Sequence, residues 1–258
     1  MPNNSKPHTF SFGMVGAHLV FLSIFLGLWQ FAVARGWIDQ TFFGSPLGIV
    51  MFLFDGFLRG TKLWWEMAWS LGGTVSAFLL GSVAAILAAL VFINYPRVEK
   101  FADPYLSALN SMPRIALVPL FILWFGLGLA SKIAMGFTLT FFIVLSSAIA
   151  GIRGVNQDHL TLMSTLGARP RQTFSLVTLP NAVPVIFSGL RLGLVYALLG
   201  VIGSEIIASE HGLGQQISYL ASTFNMNGVL GLLLVLAIVA TLINYGMSRL
   251  EFYLLRWQ

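Results

Sequence analysis

Long apolar runs free of formal charge dominate this chain. Asp, Glu, Lys and Arg are absent from Pro7 to Ala34 (28 residues), Met67 to Pro96 (30), Ile133 to Ile152 (20) and His211 to Ser248 (38). Two shorter runs, Ile115 to Ser131 (17) and Leu192 to Ser204 (13), are extended by polar neighbours that a span tolerates. A helix crossing the hydrocarbon core needs about 20 mostly apolar residues. The pattern therefore predicts an all-α membrane protein with six spans, at 15–35, 67–93, 105–127, 133–152, 185–208 and 226–248. Ala32-Val33-Ala34 has the look of a signal cleavage site. The run before it, however, exceeds the signal core of about 7–15 residues, so a retained first span is expected.

Composition agrees with this reading. Hydrophobic residues make up 57% of the chain and charged residues 9%, where soluble domains carry about 25% charged residues. The net charge of +5 comes without a basic run, which argues against nucleic acid. It serves orientation instead, because cytoplasmic loops collect Lys and Arg. With both termini inside, Lys6, Arg97, Lys100, Arg114, Arg153, Arg169, Arg171, Arg191, Arg249 and Arg256 face the cytoplasm. Only Arg35, Arg59, Lys62 and Lys132 face outward. The N-in, C-in topology follows. Residues 36–66 become an outer loop with turn signals at Gly44-Ser45-Pro46 and Asp55-Gly56, and Trp37, Trp64, Trp65 and Trp69 suit an interfacial belt. No internal repeat or second domain is visible. Residues 1–258 read as one transmembrane domain, with a core at 67–250.

The segment 153–185 joins the fourth and fifth spans inside the cell. Leu160, Met163 and Leu166, with Leu162 beside them, share a helical face. Gly167 ends that helix as a glycine just past a C-cap does. Pro170 opens a second short helix, with Phe174, Val177 and Leu179 on its apolar side. Pro180 and Pro184 punctuate the entry to the fifth span. Arg169 and Arg171 flank this two-helix hook. From the residues alone, it suits either a groove on another protein or the surface of anionic lipid.

Gly167, nine intervening residues and then Val177-Thr178-Leu179-Pro180 resemble the cytoplasmic signature of binding-protein-dependent ABC importer permeases: Glu-Ala-Ala, three residues, Gly, nine residues, Ile-x-Leu-Pro. The opening Glu-Ala-Ala is replaced by Thr161-Leu162-Met163. "SMPRIALVPLFILWFGLG" (Ser111 to Gly128), "PNAVPVIFSGLRLGL" (Pro180 to Leu194) and "SEIIASEHGLGQQI" (Ser204 to Ile217) resemble the nitrate, sulfonate and taurine branch of that family. The resemblance implies the type I importer permease fold. It also implies two permease copies, two cytoplasmic ATPase subunits docked on the hooks at 156–174, and a periplasmic or lipid-anchored substrate-binding protein. ATP and Mg would then belong to the ATPase, and this chain would bind no cofactor. Within the hook, Leu160, Met163, Leu166, Gly167, Ala168, Arg169, Arg171 and Phe174 are the candidate coupling residues.

Ionisable residues at membrane depth are functional candidates. Met112-Pro113 breaks the third span and Pro119 loosens its next turn. A broken helix is tolerated where it lines a cavity, so Asn110, Ser111, Met112, Pro113, Arg114 and Pro119 are candidate pathway residues facing a polar route. The alternative for Arg114 is a cap on the span. Arg191 reads as an interfacial anchor or brace, and Glu205 as a brace or gate. Gly189 and Gly193 form a small-xxx-small pattern suited to close helix packing. Gly56 to Lys62 has three residues where a P-loop needs four between its glycines. His8, His18, His159 and His211 lack metal-ligand spacing, and the chain has no Cys. Two other classes remain as alternatives: a secondary transporter, which should show paired broken helices in two halves, and an intramembrane enzyme, which needs a convergent set of reactive side chains.

Overall fold

The computed structural model describes residues 12–254, and every regular element among them is helical. Lys6, His8 and Arg256, used in the charge count and histidine survey, lie outside the described residues. In chain order the helices are α1 (Phe12–Ala34), α2 (Gln40–Phe43), α3 (Pro46–Phe54), α4 (Lys62–Asn94), α5 (Pro96–Ser111), α6 (Val118–Phe125), α7 (Leu129–Arg153), α8 (Gln157–Thr165), α9 (Pro170–Thr173), α10 (Leu179–Ile207), α11 (Leu213–Ser222) and α12 (Met226–Leu254).

Five helical stretches are long and apolar enough to cross a membrane: Gly16–Ala34, Lys62–Asn94, Leu129–Arg153, Pro170–Ile207 and Met226–Leu254. The expected third span, 105–127, is not one helix. It is a pair, α5 and Arg114–Phe125, bent by 92° at Met112-Pro113. Pro113 has no N–H to continue the helical ladder, and Met112 and Pro113 both adopt extended ψ values, 138° and 100°. Helix α5 also begins earlier than expected, at Pro96, where a proline in the first turn costs no hydrogen bond.

α7 lies between α4 and α10, and these three helices form the centre of the bundle. They approach closely because small residues line the contacts. A Cβ added to Gly136 of α7 would lie 2.7 Å from the Ala77 Cβ and 3.1 Å from the Ala197 oxygen. Gly193 of α10 packs on Val144 and Thr140, and Gly189 on Ser147, so the small-xxx-small pattern packs against α7. The Thr140 hydroxyl donates to the Gly193 carbonyl at 3.1 Å. In a lipid solvent such close backbone approach replaces the hydrophobic drive available in water.

The outer loop is more helical than its turn signals suggest. Gly44 turns with φ +64°, as its turn signal predicts, and Ser45 caps α3. Asp55-Gly56, by contrast, sits in a wide helical turn, Asp55–Arg59, that continues α3. The apolar α3 finds burial against α12, where the Ser45 N–H donates to Asn227 Oδ1 at 2.7 Å. α1 buries nothing in the apolar window that qualifies it as a span.

Pro180 and Pro184 do not punctuate the fifth span. The helix runs from Pro170 to Ile207 through a wide turn at Phe174–Thr178. There the Leu179 N–H reaches back to the Phe174 carbonyl, next to the position where Pro180 removes a donor. A turn of this width lets the ladder absorb the missing hydrogen bond. The hook is therefore one free helix, α8, followed by the extended start of the fifth span.

Candidate functional site

Three places carry chemistry: the hook, the bend at Arg114, and the opposite, outer end of the bundle. α8 starts on Asn156, whose side chain accepts from the Asp158 N–H at 2.9 Å. It ends at Gly167, which has φ +70°. The Ala168 N–H reaches the Met163 carbonyl and the Gly167 N–H reaches Ser164, the paired closure of a Schellman cap. A Cβ at Gly167 would meet nothing within 4 Å, so backbone conformation alone selects glycine there. Leu160, Met163, Ala168 and Phe174 are half-buried, whereas Arg169 and Arg171 are exposed. Leu162, Leu166 and Leu176 are 57, 72 and 67% exposed. The apolar face expected of the hook is thus divided. One part seats the helix, and the other part points away from the bundle.

At the bend, Arg114 donates to Asn110 Oδ1 and lies 4.8 Å from the centre of the Phe142 ring. Neither partner is charged. Ser111 is satisfied within its helix, donating to the Ser107 carbonyl at 2.8 Å, and Met112, Pro113 and Pro119 are exposed. Beside Arg114 lies a groove of about 380 Å³ with an almost wholly apolar wall, including Phe121, Trp124, Phe137, Phe141 and Phe142. The wall is apolar because the 92° bend lays α6 across α7, and both helices present aromatics there. A smaller cavity of about 150 Å³, between α5 and α7, collects the polar groups Glu99, Asp103, Ser107, Asn110 and Ser146.

The outer end holds a buried ionic cluster that the sequence only partly disclosed. Glu205 accepts from Ser70 Oγ at 2.7 Å and from the Gly214 N–H at 2.9 Å. Lys132 Nζ lies 3.5 Å from Glu205 Oε1 and donates to the His211 carbonyl at 2.5 Å. Glu66 accepts from the Gly212 N–H at 2.6 Å. The His211 ring stacks on Trp69 at 5.1 Å, with Nδ1 3.6 Å from Glu66 Oε2. Lys132, Glu66 and Glu205 are 1, 4 and 1% exposed. The cluster thus ties α4, α7, α10 and the loop before α11 together. Burying charge is tolerable only with such pairing and hydrogen bonding.

Glu205 thus joins α10 to Ser70 of α4 and Lys132 of α7. Its partners were missed because Lys132 stands just outside an apolar run and reads as a loop charge, and Glu66 likewise. Trp69 joins this cluster by stacking on His211. Arg191 is no free anchor: it pairs with Glu251 at 3.4 Å and donates to Ser248 Oγ at 3.2 Å, bracing α10 to α12.

Comparison with known proteins follows this geometry. The family described as binding-protein-dependent transport system inner membrane component matches residues 77–257. A Bacillus subtilis protein named as an aliphatic sulfonates transport permease is 31% identical over 93% of this chain and 87% of its own length. The taurine transport system permease of Escherichia coli is 30% identical over 92% and 87%. The formylaminopyrimidine transport permease of Halalkalibacterium halodurans is 29% identical over 93% and 94%. Among solved structures, an inward-facing form of the MetNI methionine ABC transporter aligns with TM-score 0.60 at 20% identity, covering 76% of this chain and 94% of that one.

Proposed function

The chain belongs to the family of binding-protein-dependent transport system inner membrane components, and from that premise we propose how this multi-pass subunit of a bacterial ABC importer handles cargo and ATP. Two copies form the pathway, a separate ATPase docks on α8, and the cargo is a small organic anion released by a binding protein. ATP is hydrolysed on the ATPase, with Mg bound there.

The observation that carries the docking reading is the set of exposed leucines at the hook. Leu162, Leu166 and Leu176 stand off the bundle among Arg169 and Arg171. Apolar side chains flanked by cations suit a protein groove with an acidic rim. Homodimer formation is supported by α6, which leaves Leu123 and Trp124 81 and 62% exposed, a face that a second copy would cover.

Arg114 supports the anionic cargo. Its hydrogen-bond and ring partners are neutral, and its guanidinium offers a planar fork for oxyanions. The adjoining aromatic groove suits an apolar body, which favours an alkyl sulfonate over nitrate. The name of the aliphatic sulfonate relative agrees. Translocation is a population shift: ATP closes the ATPase pair, and the hooks it carries favour one of two pathway states. The secondary-transporter alternative needs a second broken helix, and the described residues contain one bent pair.

A single cysteine at Leu162, in a chain otherwise free of cysteine, tests the docking. It should cross-link to the co-expressed ATPase with a short bifunctional reagent. Failure to cross-link in a complex that co-purifies would remove α8 from the interface.

A further inference from the structure

We propose that α5 is the lever of the pathway and that the Glu99–Arg153 ion pair carries movement of the hook to it. This rests on the reading of α8 as the ATPase-docking helix.

Helix α5 is bounded by a break at each end. At its start, Tyr95 leaves helical geometry with ψ 78° before Pro96. At its finish, Met112 and Pro113 are extended, and the chain turns by 92°. Between these breaks no residue of α5 is buried. Only Ala102 and Leu106 pack, half-buried, on the core shared by α4 and α7. A cavity of about 150 Å³ separates its polar stripe, Glu99, Asp103, Ser107 and Asn110, from Ser146 of α7. The stripe recurs every three to four residues, so it marks one face of the helix. A helix with breaks at both ends and little packing has the anatomy of a hinged element, even with Pro104 in its interior.

One ion pair ties this rod to the segment before the hook. Arg153 is the last residue of α7, and α8 begins at Gln157. Its guanidinium lies 2.5 Å from Glu99 Oε2, with the Glu99 side chain 21% exposed. Exposed ion pairs contribute little to stability. The role inferred here is positional: displacement of α8 pulls on Arg153, and Arg153 holds the near end of α5. The far end of α5 carries Asn110, which accepts the Arg114 hydrogen bond. Movement at the hook therefore reaches the pathway arginine through a single helix.

The test uses the complete complex of permease, ATPase and binding protein in proteoliposomes, reading uptake of an isotope-labelled short alkyl sulfonate per ATP hydrolysed. Arg153→Glu and Glu99→Arg each place like charges face to face. Each should lower that ratio about tenfold, because facing like charges repel, while the ATPase still co-purifies. The exchanged double variant, Glu99→Arg with Arg153→Glu, should recover to within about twofold of the parent, since the pair is restored in reverse. Arg153→Lys, which keeps the charge, should stay near the parental ratio and guards against misfolding of the reversals.

Parental uptake in either single reversal would overturn the proposal. So would a double variant no better than the singles. Loss of ATPase co-purification in the singles would also overturn it, because the pair would then shape the hook itself. A failure of the docking reading is seen separately, as absence of the Leu162→Cys cross-link in the otherwise parental complex.

Discussion

Replacing Lys132 with methionine isolates the ionic cluster at the outer end. Methionine has a similar length and volume, so the change removes charge without opening a cavity. At 3.5 Å from Glu205, the ammonium–carboxylate attraction is about 5 kcal/mol at an effective dielectric constant of about 20. Mutational experience with buried pairs that lose one partner gives about 3–5 kcal/mol of destabilisation. The His211 carbonyl also loses one of its two donors, keeping the Ser209 hydroxyl, which adds less than about 1 kcal/mol. For a chain of this size each kcal/mol lowers the melting temperature by about 2–4 °C, so a drop on the order of 10 °C is expected. The seven tryptophans allow unfolding of the detergent-purified protein to be followed by intrinsic fluorescence. Adding Glu205→Gln removes the stranded carboxylate charge, and the double variant should melt above Lys132→Met alone. A single variant melting within about 2 °C of the parent, or a double variant losing the sum of both effects, would show that the cluster does not depend on its charge.

The other predictions address the hook, the packing, the orientation and the cargo. Gly167→Val forces a β-branched residue to φ +70°; uptake should collapse while the permease still inserts, and retained uptake with retained ATPase binding would end the hook assignment. Gly200→Leu places a Cβ 3.0 Å from the Gly136 Cα, where only backbone could yield, and should sharply reduce the yield of folded protein, whereas the same change at Gly203, with nothing within 4 Å, should not. A reporter fused after Gln258 should read as cytoplasmic and one inserted at Ser45 as external. Arg114→Gln keeps hydrogen-bond donors without the charge and should abolish uptake with ATPase docking preserved; Arg114→Lys should be intermediate because the fork is lost, and parental uptake in the glutamine variant would make Arg114 a cap.

What the sequence disclosed depended on whether a feature was local. Gly167 was legible because a C-terminal cap is written within four residues, and its left-handed conformation matches. The break at Met112-Pro113 was legible for the same reason, since proline acts on its own turn. The angle of that break was not legible. It depends on how α6 packs against Met135 and Leu139 of α7, which lie well along the chain. Pro180 and Pro184 misled the reading because proline near the start of a long helix is tolerated when a wide turn absorbs the lost bond. The ionic cluster was least legible. Glu66, Lys132 and Glu205 are separated by more than sixty residues at each step, and each stands at the edge of an apolar run, where charge ordinarily meets water. Only the assembled bundle reveals that Lys132 and Glu205 have none.

The two ends of the molecule differ in how they are fastened, and the difference bears on how an importer of this fold moves. At the outer end, Glu66, Lys132 and Glu205 lock α4, α7 and α10 through hydrogen bonds of 2.5–2.9 Å in a dry interior. Separating these helices there would strand buried charge, so the outer ends of the three move together or not at all. At the hook end, the corresponding fastenings are half-exposed: Glu99 with Arg153 and Arg191 with Glu251. Such pairs contribute less to stability than the buried cluster does. Local opening follows the weaker fastenings. The compliance of the subunit is therefore concentrated at the end where α8 stands, and a displacement applied at the hook spends itself on α5 and the start of α10 before it reaches the outer cluster. A buried ionic clamp at one end and half-exposed pairs at the other leave the end that carries α8 the more compliant of the two.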